Sequence, residues 1–247
     1  MSRACEGQAR DLGGHRRRVN GEDVVCVIGV NRKNGLNDLD FVAQALDKFG
    51  ARLEPFSLID VQLHRGRTFD IVTQVEMLRP YGTQLASDFD LFAAGTVMVE
   101  TAERLTADSA DGAHAQYSLL LGALHALANL RHDPVLVVDS YLLRALSVAG
   151  WAPSCFACAS CGKPGPHTSF SISEGGALCD ECQSEGGVAV SENTMELMGH
   201  LLAGNWDQAD RTEAYDRQRV AHLTSAYTQW HLERKLRALQ LFERKRA

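Results

Sequence analysis

Two Cys-x-x-Cys pairs, Cys158/Cys161 and Cys179/Cys182, are separated by seventeen residues in a chain of 247. Two residues between cysteines let both thiolates of a turn face one ion, and Gly162, directly after the first pair, gives the backbone freedom such a knuckle needs. Four soft sulfur ligands favour zinc (Zn2+) or, less often, an iron-sulfur centre. A closed four-sulfur site has no open coordination position, so its expected work is to hold the fold together and not to catalyse. The competing reading is four free thiols or two disulfides. Export is not expected, because Met1 is followed by Arg3, Cys5 and Glu6 without an apolar run, and a reducing cytoplasm favours metal over crosslinks. Cys155 makes a second, overlapping pair with Cys158. Cys158 with Cys161 is the better knuckle because a glycine follows it, which leaves Cys155 as a spare thiol.

Between the pairs, Pro164-Gly165-Pro166, Phe170-Ser171-Ile172 and Gly175-Gly176 read as a turn, a short strand and a hairpin turn. A zinc ribbon over residues 155–185 is therefore expected. The second group of chemical interest is cationic. Leu58–His64 and Phe69–Leu78 alternate with period two around Arg65-Gly66-Arg67, which reads as a β-hairpin with a basic turn. Val24–Val30 reads as a buried strand, a further strand is expected near Ala51–Leu53, and a short helix over Asp40–Lys48. Such a set suggests a small barrel of the oligonucleotide-binding type, with Lys48, Arg52, Arg65 and Arg67 as phosphate contacts. Residues 1–22, with Arg16, Arg17 and Arg18 among glycines, read as a flexible arm.

From Pro80 the periodicity is helical. Helices are expected over Asp88–Leu105 with Glu100 and Glu103 outward, over Ala113–Leu130, over Val135–Ala149 as a central helix stopped at Gly150, over Glu192–Leu202, and over Arg217–Leu239. The fold class is thus α+β, with a barrel domain over 1–79 and a helical domain over 80–247 into which the ribbon is inserted. With 45% hydrophobic residues and no apolar run long enough for a membrane span, a soluble protein is expected. The net charge of −6 hides a split: residues 1–79 carry +1, residues 80–210 carry −12 and residues 211–247 carry +5. A polyanion would approach the ends, where Arg234, Lys235 and Arg237 offer a second contact, unless they only flank a packed face around Trp230 and Leu236. No phosphate loop, His-Glu-x-x-His, Gly-x-Ser-x-Gly or deaminase signature is present, so no enzyme is expected. Two other classes stay open. One is a zinc-braced protein-protein adaptor with little nucleic-acid binding; the other is a zinc hydrolase, which needs an open metal position.

Lys48-Phe49-Gly50-Ala51-Arg52-Leu53-Glu54-Pro55-Phe56, Val61-Gln62-Leu63-His64-Arg65-Gly66-Arg67 and Asp70-Ile71-Val72-Thr73-Gln74-Val75 together resemble the RecO family of recombination mediators in its actinobacterial form. Val99-Glu100-Thr101-Ala102-Glu103-Arg104-Leu105, Gly150-Trp151-Ala152-Pro153, the four cysteines with Gly175-Gly176, and Gln229-Trp230-His231-Leu232-Glu233-Arg234-Lys235-Leu236 extend the resemblance over about residues 42–247. It implies an oligonucleotide-binding barrel followed by a helical domain with a zinc-binding insertion. It further implies a protein, cytoplasmic and associated with the nucleoid, that binds single- and double-stranded DNA and anneals complementary strands. The implied partners are RecR, single-strand-binding protein and, indirectly, RecA. Residues 1 to about 41 depart from the family's usual opening, a short strand leading into a Lys-Leu-Gly-Glu-Ala-Asp-like turn. Without the early strands a barrel cannot close, and its strand edges stay unpaired.

Overall fold

A computed structural model describes residues 15–19, 22–28, 55–64, 71–106, 112–183, 187–232, 236, 238, 239 and 242. Four strands come first: β1 (His15–Val19), β2 (Glu22–Ile28), β3 (Ser57–His64) and β4 (Ile71–Pro80). They pair antiparallel in the order β1-β2-β3-β4. The hairpin read from period-two alternation is β3-β4, and the register shifts at Leu58/Ile59 and Gln62/Leu63 are bulges that increase its twist. Two expectations are corrected here. Among the described residues the sheet is an open meander and not a closed barrel, because β1 pairs only with β2 and β4 only with β3. Arg16, Arg17 and Arg18 lie in β1, opposite Val25, Val24 and Asp23, where sequence alone suggests a flexible arm. The strand expected near Ala51–Leu53 and the helix expected over Asp40–Lys48 lie outside the described residues.

Helices α1 (Tyr81–Leu85), α2 (Phe89–Thr106), α3 (Ala113–Ala128) and α4 (Pro134–Val148) follow. After a three-stranded ribbon of β5 (Ser169–Ser171), β6 (Gly176–Leu178) and β7 (Val188–Ala189), the chain returns through α5 (Glu192–Ala203), α6 (Trp206–Ala209) and α7 (Ala214–His231). α4 is the central helix that its unbroken apolar run suggests. Asp133 caps it by accepting from the Val135 N–H at 2.9 Å, and Pro134 occupies the first turn, where no N–H is needed. It ends at Gly150, where the Gly150 N–H reaches the Ser147 carbonyl and the Trp151 N–H reaches that of Leu146.

Both faces of α4 are covered. Val137, Val138, Tyr141, Leu142 and Ala145 pack into one core with α1, α2 and α3, while Leu136, Leu143 and Leu146 pack into a second with the ribbon, α5 and α7. Burying a leucine completely, as at Leu142 or Leu146, contributes about 2 kcal/mol. Polar groups tie the helices at fixed heights: Gln116 Nε2 donates to the Ala145 carbonyl, and the Ser140 hydroxyl to the Leu201 carbonyl. The sheet is docked by Phe56, whose buried ring meets Phe92 edge-on at 5.3 Å.

The last helix is shorter than its periodicity suggests. α7 stops at His231, although Leu236 and Leu239 are as buried as a continuing helix would make them. Leu236 is not helical, and the Ala238 N–H, in a helical residue beyond it, donates at 2.9 Å to Glu100 Oε2 of α2. Glu100, expected outward, is held between that N–H and Arg104 at 2.7 Å.

The turn after α3 contains a strained residue. Leu130 has φ of +48° and is 62% exposed, while its N–H and that of Arg131 bond back to Leu127 and Ala126. A leucine in the left-handed region costs about 1–2 kcal/mol, more than the extra chain entropy a glycine loses there. Leu130→Gly is therefore expected to raise stability by roughly 0.5–1 kcal/mol, read as a rise in melting temperature of about 2 °C.

Candidate metal centre

The first knuckle forms because its backbone is bonded on both sides. The Cys158 N–H donates to the Lys163 carbonyl and the Gly162 N–H to the Cys158 carbonyl, both at 2.8 Å. Closing so tight a loop requires φ of +77° at Gly162, a conformation open to glycine. The second knuckle is closed by the Cys182 N–H on the Cys179 carbonyl at 3.0 Å. The β5-β6 hairpin holds the two together, since the Ala159 N–H bonds the Ala177 carbonyl at 2.7 Å.

The sulfurs of Cys158, Cys161, Cys179 and Cys182 all lie within 4.8 Å of one another, and those of Cys161 and Cys179 are 3.7 Å apart. Four thiolates at about 2.3 Å from a tetrahedral ion stand about 3.8 Å apart, so the donor set fits. Cys158 and Cys179 are buried, Cys182 is half-buried and Cys161 is exposed. Backbone N–H groups at Cys161 and Cys179 lower the Cys158 thiol to about 6, whereas neighbouring sulfurs, Cys161 first, raise Cys182 to about 12. Four acceptors crowded this closely cannot all ionise without a cation among them, which is the electrostatic condition a metal ion satisfies.

Cys155 is separated from this cluster by packing. Cys158 and Cys179 share an apolar pocket with Leu178, whereas Cys155 sits in the second core with Phe170 and Val190. Burial raises its thiol to about 12.

The ribbon is fastened to the helices at several points. Gly176 forms a bridge with Ser154 so close that a Cβ there would sit 2.4 Å from the Ser154 carbonyl oxygen. Phe170 meets Tyr227 of α7 edge-on at 6.0 Å, and the Phe156 ring lies directly on Gly199 of α5. Asp216, buried on α7, accepts from Ser191 at 2.8 Å and Thr194 at 2.7 Å, locking α7 to the start of α5.

The cationic candidates are not brought together by any described contact. Lys48, Arg52, Arg65, Arg67, Arg234, Lys235 and Arg237 lie outside the described residues. What is described is the hairpin whose turn carries two of them: His64 ends β3 and Ile71 begins β4. Trp230, read from sequence as part of a packed face, is 59% exposed. A groove of about 810 Å³ that sequence reading missed is lined by His114, Ser118, Arg131, Tyr141, Arg144 and Trp206. The Tyr141 hydroxyl is buried there without a hydrogen-bond partner, and burial raises its pKa. No local pattern could have found this groove, since its lining comes from four helices and a turn. No helix among the described residues is long and apolar enough to cross a membrane.

Residues 86–240 match the family model described as recombination protein O C terminal. Over 203 residues, 82% of this chain and 84% of the relative, the sequence is 48% identical to the DNA repair protein RecO of Thermobifida fusca. It is 46% identical over 209 residues to DNA repair protein RecO of Streptomyces coelicolor and 43% over 203 to that of Frankia casuarinae, with the same coverage in each case.

Proposed function

We propose, since this chain belongs to the RecO family of recombination and DNA repair proteins, that it is a non-enzymatic mediator which binds single- and double-stranded DNA and anneals complementary strands. With RecR it would help load RecA onto DNA coated by single-strand-binding protein, in the cytoplasm at the nucleoid. The observation that carries this reading is the likeness to DNA repair relatives over four-fifths of both chains.

The metal in this reading is one structural Zn2+ held by Cys158, Cys161, Cys179 and Cys182, supported by their shared distances and by the softness of four sulfur ligands. The ion closes the ribbon and supplies no reaction. Phosphates are held by Lys48, Arg52, Arg65 and Arg67, the last two in the sequence between β3 and β4, with Arg234, Lys235 and Arg237 as a second contact. Annealing follows physically: cations that screen two strands on one protein surface lower their repulsion while leaving base edges free to pair. The groove lined by Arg131 and Arg144 suits an acidic segment of a protein partner, since two arginines line it.

The test is fluorescence anisotropy of a labelled single strand at two salt concentrations. Binding is expected to fall steeply between about 50 and 200 mM salt. Arg65→Glu with Arg67→Glu is expected to weaken low-salt affinity at least tenfold and flatten the salt slope. Tight binding that ignores salt, or an unchanged double variant, would refute the assignment of these cations. No binding at low salt would favour the adaptor reading instead.

A further inference from the structure

A row of rings leads outward from the ribbon: Phe170 meets Tyr227 edge-on, Tyr227 meets His231 at 4.4 Å and 67°, and His231 lies flat against Trp151 at 5.1 Å and 17°. Phe170 and Tyr227 are buried, whereas Trp151, the outermost ring, keeps 39% of its surface exposed. Its backbone is fixed from two helices, with its N–H on the Leu146 carbonyl of α4 at 2.8 Å and its carbonyl accepting from the Tyr227 hydroxyl at 3.4 Å. From this geometry we infer that Trp151, backed by His231 of α7, is a stacking platform for an unpaired nucleobase of single-stranded nucleic acid.

Three features favour a base over an apolar protein surface. The platform is a flat, parallel ring pair whose outer member is held in place before any ligand arrives, so little side-chain entropy is lost on stacking. Burial lowers the pKa of His231, which leaves it a neutral ring at physiological pH, so the pair presents a π surface and not a local charge. The segment that carries His231, residues 211–247, holds 9 Lys and Arg against 4 Asp and Glu, whereas residues 80–210 sum to −12. A polyanion is drawn to that end of the sequence, and once there its unpaired bases need faces to lie on. A duplex, whose bases already stack on one another, gains nothing from the platform.

This inference rests on the DNA-binding reading above, and its test separates the two. The metal-loaded full chain is titrated with unlabelled oligo-dT while tryptophan emission is followed, and with labelled oligo-dT and a labelled duplex while anisotropy is followed. Saturating oligo-dT is expected to quench emission, and Trp151→Ala to remove much of that quenching. The same variant is expected to weaken oligo-dT binding by roughly ten- to a hundredfold while leaving duplex binding unchanged. Trp151→Phe, which keeps a ring, is expected to restore most of the affinity, an outcome a merely destabilised variant would not give. Wild-type binding to oligo-dT with no quenching and no effect of Trp151→Ala overturns the platform and leaves DNA binding intact. Absence of any binding by the wild type overturns both.

Discussion

Cys179→Ser is expected to empty the metal centre and lower the melting temperature by roughly 10 °C or more. Structural zinc contributes about 10–16 kcal/mol to the folding of isolated finger peptides, and loss of one of four thiolates forfeits a large part of such a contribution. In a chain of 247 residues each kcal/mol corresponds to about 2–4 °C. The loss should not stop at the ribbon. Cys179 directly follows β6, whose partner β5 carries Phe170, and Phe170 packs on Tyr227 in the core shared by α4, α5 and α7. Metal analysis after dialysis, together with a thermal melt, reads both effects, and stripping the wild type with a chelator should reproduce them. Cys155→Ala supplies the contrast. It should retain one ion per chain and cost only about 1 kcal/mol, because it removes a buried sulfur from the second core and no ligand from the cluster. An unchanged melt in Cys179→Ser, or loss of metal in Cys155→Ala, would contradict the assignment of ligands.

Gly176→Ala is expected to detach the ribbon from the end of α4, at a cost above about 3 kcal/mol. The atoms an added Cβ would meet are all backbone: the Ser154 carbonyl oxygen at 2.4 Å, its nitrogen at 2.7 Å and its Cα at 2.9 Å. No rotamer change can relieve such contacts, so the Ser154–Gly176 bridge must open. The two bonds beside it, Ser154 N–H to Gly175 and Ala177 N–H to Ser154, then go with it. Faster reaction of the four cysteines with a thiol reagent, compared with wild type, is the measurement. Wild-type rates and an unchanged melt would show that the bridge is dispensable.

The clustering of the four cysteines was legible because its information is local. Two residues between cysteines and a glycine after the first pair set the knuckle turns whatever surrounds them. The same locality explains what spacing left open at Cys155, which has the same separation from Cys158 as Cys161 has on the other side. The apolar core around Phe170 and Val190 distinguishes them, and those residues are brought there by the fold. Glu100 failed for a related reason: periodicity placed it on an outward face, but the group it binds, the Ala238 N–H, is 138 residues away. Apolar positions at Leu236 and Leu239 read as one long helix with Arg217–His231, whereas among the described residues α7 ends at His231 and Leu236 is not helical. The β3-β4 hairpin could be read because alternation reports which face is buried. Barrel closure could not, since it depends on pairings between strands far apart in sequence.

The proposed function has this chain, braced through its four cysteines, bring complementary strands together. The rate at which two labelled complementary oligonucleotides pair, followed as metal-loaded protein is added, tests it most directly. The rate is expected to rise with protein, to fall with added salt and to drop when the metal is stripped. A rate equal to that of the strands alone, at low salt and with the ion in place, would contradict it.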